Sequence, residues 1–169
     1  EAGRDQYKEY WENSVEVPDK YTRILGENAK KNGIYLVIGV TEKDPVNKSL
    51  YCTMLYFAPN GELMGKHRKL KPTAAERLVW AEGDASTLVS FDTDLGKIGG
   101  LICWENYMPL SRYALYAQGV EVYLAPTWDC GEGWQATLRH IAREGGCWVA
   151  GTSTAIQCSD IPDTVPHKN

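Results

Sequence analysis

Apolar residues recur along this chain at two spacings, every three to four positions in some stretches and in alternating or near-continuous runs in others, which predicts helices interleaved with strands. Tyr7, Tyr10 and Trp11 share one helical face in an otherwise polar opening segment. Pro18-Asp19 opens a second helix that runs to Lys31 and stops at Asn32-Gly33, a pair suited to a helix end. Strand 34–40 comes directly after it. Residues 50–57 are rich in aromatic and β-branched side chains, and the turn Pro59-Asn60-Gly61-Glu62 joins them as a hairpin to 63–67. A loop with one short helical piece at 73–80 leads to strand 87–92, a turn at Asp94-Leu95-Gly96, and strand 97–103. The second half predicts helix 109–118, strand 120–125, helix 134–144 and strand 147–153. Leu110, Tyr113, Ala114 and Ala117 form the stripe expected to pack the first of these helices on a sheet; Leu138, Ile141 and Ala142 form that of the second. Hairpins beside strand-helix-strand units predict an α/β chain with a mixed sheet, helices over one face and room for a second sheet on the other. No internal repeat, low-complexity tract or linker interrupts residues 1–169, so one domain is expected.

Composition narrows the classes of function. The 169 residues are 43% hydrophobic and 24% charged, enough for a packed core. A net charge of -4, with Lys and Arg scattered, supplies no basic field for nucleic acid. No apolar run reaches membrane-spanning length, and Glu1-Ala2-Gly3-Arg4-Asp5 has neither an initiator Met nor a signal-peptide core. A soluble chain whose beginning lies upstream is expected. Cys52, Cys103, Cys130, Cys147 and Cys158 are odd in number and lack a CxxC pair, which fits a reducing, cytoplasmic compartment. With His67, His140 and His167 they offer no zinc-ligand pattern.

Candidate chemistry centres on Cys103, where the run Gly99-Gly100-Leu101-Ile102 ends on a thiol and Pro109 can open a helix six residues later. Such a junction suits a nucleophile beside backbone N–H groups, and it suits a buried core cysteine as well. A free thiol needs a base, a cation or a helix N-terminus to ionise at neutral pH. His140 falls within a helix and His67 at a strand end, and no papain-like signature surrounds Cys103. The segment from Lys66 to Arg77 gathers cations, a carboxylate and a Pro-stiffened loop; it reads either as a thiolate partner or as a solvated turn.

The ordered motifs His67-Arg68-Lys69-Leu70-Lys71-Pro72-Thr73, Glu76-Arg77, Gly83-Asp84, Cys103-Trp104-Glu105-Asn106, Met108-Pro109-Leu110, Ala125-Pro126-Thr127 and His140-Ile141-Ala142-Arg143-Glu144-Gly145-Gly146 resemble nitrilases of the carbon-nitrogen hydrolase superfamily. The resemblance covers nearly the whole chain, and the Cys-Trp-Glu block with Met-Pro-Leu is more like the nitrilase branch than the amidase or carbamoylase branches. It implies an α-β-β-α four-layer sandwich and a Glu-Lys-Cys triad, often with a further Glu. By that resemblance Cys103 matches the nucleophile, Lys69 the catalytic lysine and Glu76 the supporting carboxylate. Trp104 matches a donor of backbone N–H to the oxyanion, and Thr127 and Trp128 match a substrate-lining position. The implied reaction turns an organic nitrile into carboxylic acid and ammonia through a covalent thioimidate, with no cofactor and no metal. Amide-cleaving and cyanide-hydrolysing relatives share the triad, and a non-catalytic assembly scaffold is the non-enzymatic alternative.

One departure stands out. The family's general-base Glu sits in an apolar-Pro-Glu context that these residues lack, and residues 5–18 resemble the family's segment just downstream of that Glu. An internal fragment is therefore expected, incomplete at both ends and inactive by itself. The resemblance also implies a homo-oligomer paired through helices 109–118 and 134–144.

Overall fold

The computed structural model describes residues 2–161 and 163; His167 and the side chain of Cys158 lie outside the described residues. Helices α1 (Ala2–Glu12) and α2 (Lys20–Asn32) precede a three-stranded antiparallel sheet of β1 (Leu36–Lys43), β2 (Leu50–Phe57) and β3 (Leu63–Arg68). A second sheet runs β4 (Phe91–Thr93), β5 (Gly96–Gly100), β6 (Val122–Thr127) and β7 (Trp148–Ser153), with β4 antiparallel to β5 and the remaining pairs parallel. Helices α3 (Pro109–Ala117) and α4 (Glu132–Gly145) connect its parallel strands.

Period-two alternation along the strands assigns each side chain to a layer. Leu55 and Phe57 meet Ala29 of α2 on the outer side of the first sheet. Met54 and Tyr56, on the opposite face of β2, meet Ile98 and Ile102 between the sheets. Leu101, Tyr123 and Ala125 face Leu115 of α3 and Trp134 and Ile141 of α4. Three apolar seams thus bind four layers in the order α-β-β-α. No helix among the described residues is long and apolar enough to cross a membrane.

Three predicted strands begin later than expected, for one reason. Gly33, Gly119 and Gly146 take positive φ (61°, 79° and 59°) just past their helices. The next N–H then bonds back to the helix, Ile34 to Ala29, Val120 to Leu115 and Cys147 to Ala142. Those N–H groups are spent on the cap, so β1, β6 and β7 start at Leu36, Val122 and Trp148. The predicted strand 87–92 is corrected too: Ala85–Thr87 form a 3₁₀ turn capped by Asp84, and only Phe91–Thr93 pair. Strand 97–103 ends at Gly100.

The stripe predicted for 109–118 is wrong. Leu110 is 83% exposed and Tyr113 69% exposed, whereas Ser111, Arg112 and Leu115 are buried. Arg112 takes the inner face because its charge is matched there: Nε and Nη2 donate to Glu144 at 2.9 and 3.3 Å, and Nη1 to the Asn106 carbonyl at 2.7 Å. Of the α4 stripe, Leu138 and Ile141 pack inward as expected, joined by Trp134.

Candidate active site

Cys103 opens a 3₁₀ turn, Cys103–Tyr107, directly after the extended residue Ile102. Strand alternation would send it to the helix side with Leu101. Instead its φ of 53° turns it, half-buried, against the seam between the sheets. A non-glycine residue in that region costs about 1–3 kcal/mol, sustained only where the surroundings fix it. They do so here. Asn106 Nδ2 donates to the Cys103 carbonyl at 2.7 Å and to that of Leu101 at 3.0 Å, and Tyr123 donates to Asn106 Oδ1 at 2.8 Å. Beneath the turn, a Cβ on Gly100 would stand 2.0 Å from the Leu124 carbonyl oxygen, so only glycine lets β5 lie this close to β6.

Among the described residues the thiol's side-chain partner is Thr127 at the end of β6, whose hydroxyl donates to Sγ at 3.1 Å. The same hydroxyl accepts the Asp129 N–H at 3.0 Å, which aims its hydrogen at the sulfur. Thr127 is expected from the sequence to line the substrate; the structure puts its hydroxyl on the nucleophile candidate. Trp104 is half exposed, with its indole N–H donating to Asp129 at 3.2 Å and its ring edge-on to Tyr107. Trp128 points outward and is largely exposed.

Lys69 lies just past β3 and is fully buried, which a lysine tolerates only when its ammonium is paired. Its Nζ donates to Glu76 Oε2 at 2.6 Å and to Thr73 Oγ1 at 3.1 Å. Glu76 also accepts the Thr73 N–H at 2.6 Å, so the loop closes on its own lysine. The neighbouring lysines lie elsewhere, Lys66 paired with Glu42 on the outer face and Lys71 with Glu82 at the surface. Glu76 further lines a cavity of about 460 Å³ with Tyr7, Tyr10, Val79 and Trp80.

Cys52 ties the two halves together. Its carbonyl accepts the Lys69 N–H at 2.8 Å, and it packs on the same seam as Cys103. Burial pushes its thiol up to about 12; the Lys69 charge pulls it down, while Glu76, Glu105 and Cys103 push it up. Raised that far, the Cys52 thiol stays protonated at neutral pH. Glu105, fully buried, bridges the halves by accepting the Leu70 N–H at 2.6 Å and the Ile102 N–H at 2.7 Å. Glu105 and the buried Glu42, which holds Lys66, Arg68 and Thr53, are the groups sequence reasoning missed as structural centres. His140 is surface-exposed and bonds Glu144 at 3.0 Å, away from the site.

The carbon-nitrogen hydrolase family profile matches residues 2–161. Nitrilase 2 of Arabidopsis thaliana is 49% identical over 163 residues, which cover 96% of this chain and 48% of that protein. The bifunctional nitrilase/nitrile hydratase NIT4A of Nicotiana tabacum is 47% identical over 160 residues, 95% of this chain and 45% of that protein. Among solved structures, Saccharomyces cerevisiae Nit3, a member of branch 10 of the nitrilase superfamily, superposes with a TM-score of 0.79 at 26% identity, over 89% of this chain and 57% of that one. The chain spans about half the length of the curated relatives it matches.

Proposed function

Because the chain belongs to the carbon-nitrogen hydrolase family, we propose that the protein containing it hydrolyses an organic nitrile to the carboxylic acid and ammonia, with Cys103 as nucleophile. The observation that carries this reading is that one buried carboxylate, Glu105, accepts the N–H groups of Leu70 and Ile102, so the segment bearing the buried Lys69–Glu76 couple adjoins the segment bearing the hydroxyl-bonded Cys103 thiol. Similarity to proteins named nitrilases selects the nitrile over other carbon-nitrogen bonds.

Those groups dictate the chemistry. The Cys103 thiolate adds to the nitrile carbon, and the electron pair of the broken π bond moves to nitrogen. The Lys69 ammonium, held by Glu76, and the Trp104 backbone N–H stabilise that nitrogen, which is protonated to a thioimidate. Water adds to the thioimidate carbon, the C–N bond breaks and ammonia leaves, giving a thioester. A second water then releases the acid and regenerates the thiol, so the sum is one nitrile and two waters to one acid and one ammonia.

The tobacco relative's name supports a second product: loss of the thiol from the tetrahedral adduct, rather than of ammonia, yields the amide. The outward Leu110 and Tyr113 support homo-oligomer formation through α3 and α4. The experiment is to incubate the full-length protein with a panel of aliphatic and aryl nitriles, measuring ammonia, acid and amide, beside Cys103→Ala. Release from the wild type and none above background from the variant is expected. Equal release from both would sink Cys103 as the nucleophile; no release from the wild type on any nitrile would sink the reaction.

A further inference from the structure

We propose that His67 and Glu105 are a positioning pair that fixes the turn bearing Cys103 against the strand end bearing Lys69; the proposal rests on the reading of those two residues given above. Each member lies two residues from the group it would place, His67 before Lys69 and Glu105 after Cys103. Both are sealed from solvent, at 1% exposure each. Sealed in this way neither reaches substrate, and any effect on turnover passes through their neighbours.

Two ionisable groups buried together are costly unless every donor and acceptor is used. Here they are. Glu105 Oε1 accepts the Leu70 N–H at 2.6 Å and Oε2 accepts the Ile102 N–H at 2.7 Å. His67 Nε2 spans both oxygens, at 3.2 and 3.1 Å. On its far side Nδ1 lies 3.1 Å from the Thr87 carbonyl oxygen. A carbonyl can only accept, so Nδ1 carries a hydrogen. Nε2 then bonds the carboxyl group only with one more proton between them, as imidazolium and carboxylate or as imidazole and carboxylic acid. The pair is neutral as a whole in either form, which removes the penalty an unmatched buried charge would carry.

The bonds join the parts that the reaction needs in register. Leu70 comes after Lys69 and Ile102 precedes Cys103, so one carboxyl group grips the backbone on both sides of the gap between lysine and thiol. Thr87 extends the grip, its carbonyl taking His67 and its hydroxyl taking the Arg68 N–H at 3.0 Å. A purely space-filling role would be met by two apolar side chains of similar volume, which would leave the Leu70 and Ile102 N–H groups without this shared acceptor.

The test uses the full-length protein as wild type, Glu105→Gln, His67→Gln and the double variant. Glu105→Gln keeps the shape but turns an NH₂ toward one of the two backbone donors. Read out are kcat and KM for ammonia release, the rate of Cys103 alkylation by iodoacetamide monitored at its own peptide, and thermal unfolding. We expect kcat to fall about 100-fold in Glu105→Gln, the scale of an ångström-size misplacement, with KM within about threefold. Alkylation should slow about tenfold as the thiolate loses its lysine. The double variant should be no worse than the worse single one, since the two act as one unit. Unchanged kcat and alkylation in folded Glu105→Gln, or losses that multiply in the double variant, overturns the proposal. So does a lower unfolding temperature with kcat per folded molecule unchanged. If Glu105→Gln does not fold, His67→Gln is judged by the same criteria. A wild type inactive on every nitrile defeats the proposed reaction alone, and the alkylation rates still decide on the pair.

Discussion

At Cys103 the backbone and the side chain are controlled by different residues. Asn106 holds the left-handed turn through two carbonyls, while Thr127 addresses the sulfur alone. The roles can therefore be separated by mutation. Thr127→Val keeps the volume and removes the hydroxyl that donates to Sγ. A donor hydrogen bond stabilises the thiolate more than the thiol, so its loss leaves less of the reactive form. Taking such a bond as about 1–1.5 kcal/mol, Cys103 alkylation at neutral pH should be about tenfold slower. Thr127→Ser should restore it, and equal rates for Thr127→Val and wild type would refute the assignment. The candidacy of Cys103 and Lys69 was legible in the sequence because motif order marks them. The partner of the sulfur was not, since Thr127 reaches Cys103 only once β5 and β6 lie parallel in register, across 24 residues of chain.

Elements were legible where their signals are local. Asp19 caps α2 through the Tyr21 and Thr22 N–H groups at 2.8 and 2.9 Å, and the Thr22 hydroxyl bonds back, all within four residues. The hairpin at Asn60-Gly61 is local in the same sense. The orientation of α3 is not, because the choice between Leu110 and Arg112 as the inward residue depends on Glu144, a helix away. Arg112 first, then Tyr116 and His140, bond the Glu144 carboxylate and hold it down at about 2, against an ordinary 4.5. A carboxylate depressed in the folded state adds stability that is fully present above about pH 4.5 and is lost as pH falls toward 2. The side chain is 36% exposed, so solvent screening cuts the pair's worth to about 1 kcal/mol. Unfolding midpoints in urea at pH 6 and pH 3 should thus show the wild type losing about 1 kcal/mol more than Glu144→Gln across that interval. Parallel losses in the two proteins would show that the α3–α4 pair contributes nothing to acid sensitivity.

At the scale of the molecule, four layers leave two outer surfaces, one on α2 and one on α3 with α4, and they are unequal. On α3 the outward face gathers Leu110 and Tyr113 beside a groove of about 470 Å³ that Pro109, Tyr116 and Glu144 also line. On α2 the outward apolar pair Tyr21 and Ile24 is less exposed, at 50% and 49% against 69% and 83% for Tyr113 and Leu110. Large exposed apolar residues beside a groove mark a contact surface. Full burial of a Leu side chain is worth about 1.5–3 kcal/mol, and in a two-fold interface each residue counts twice, so replacing Leu110 with a charge acts on both copies. If α3 and α4 pair between subunits, Leu110→Glu with Tyr113→Glu in the full-length protein should lower the mass measured by size-exclusion chromatography with light scattering. Tyr21→Glu with Ile24→Glu, an equal charge added to the opposite outer layer, should leave the mass unchanged. A charge on α2 that dissociates the protein equally would place the interface elsewhere, and a mass that neither change alters would remove α3 from assembly.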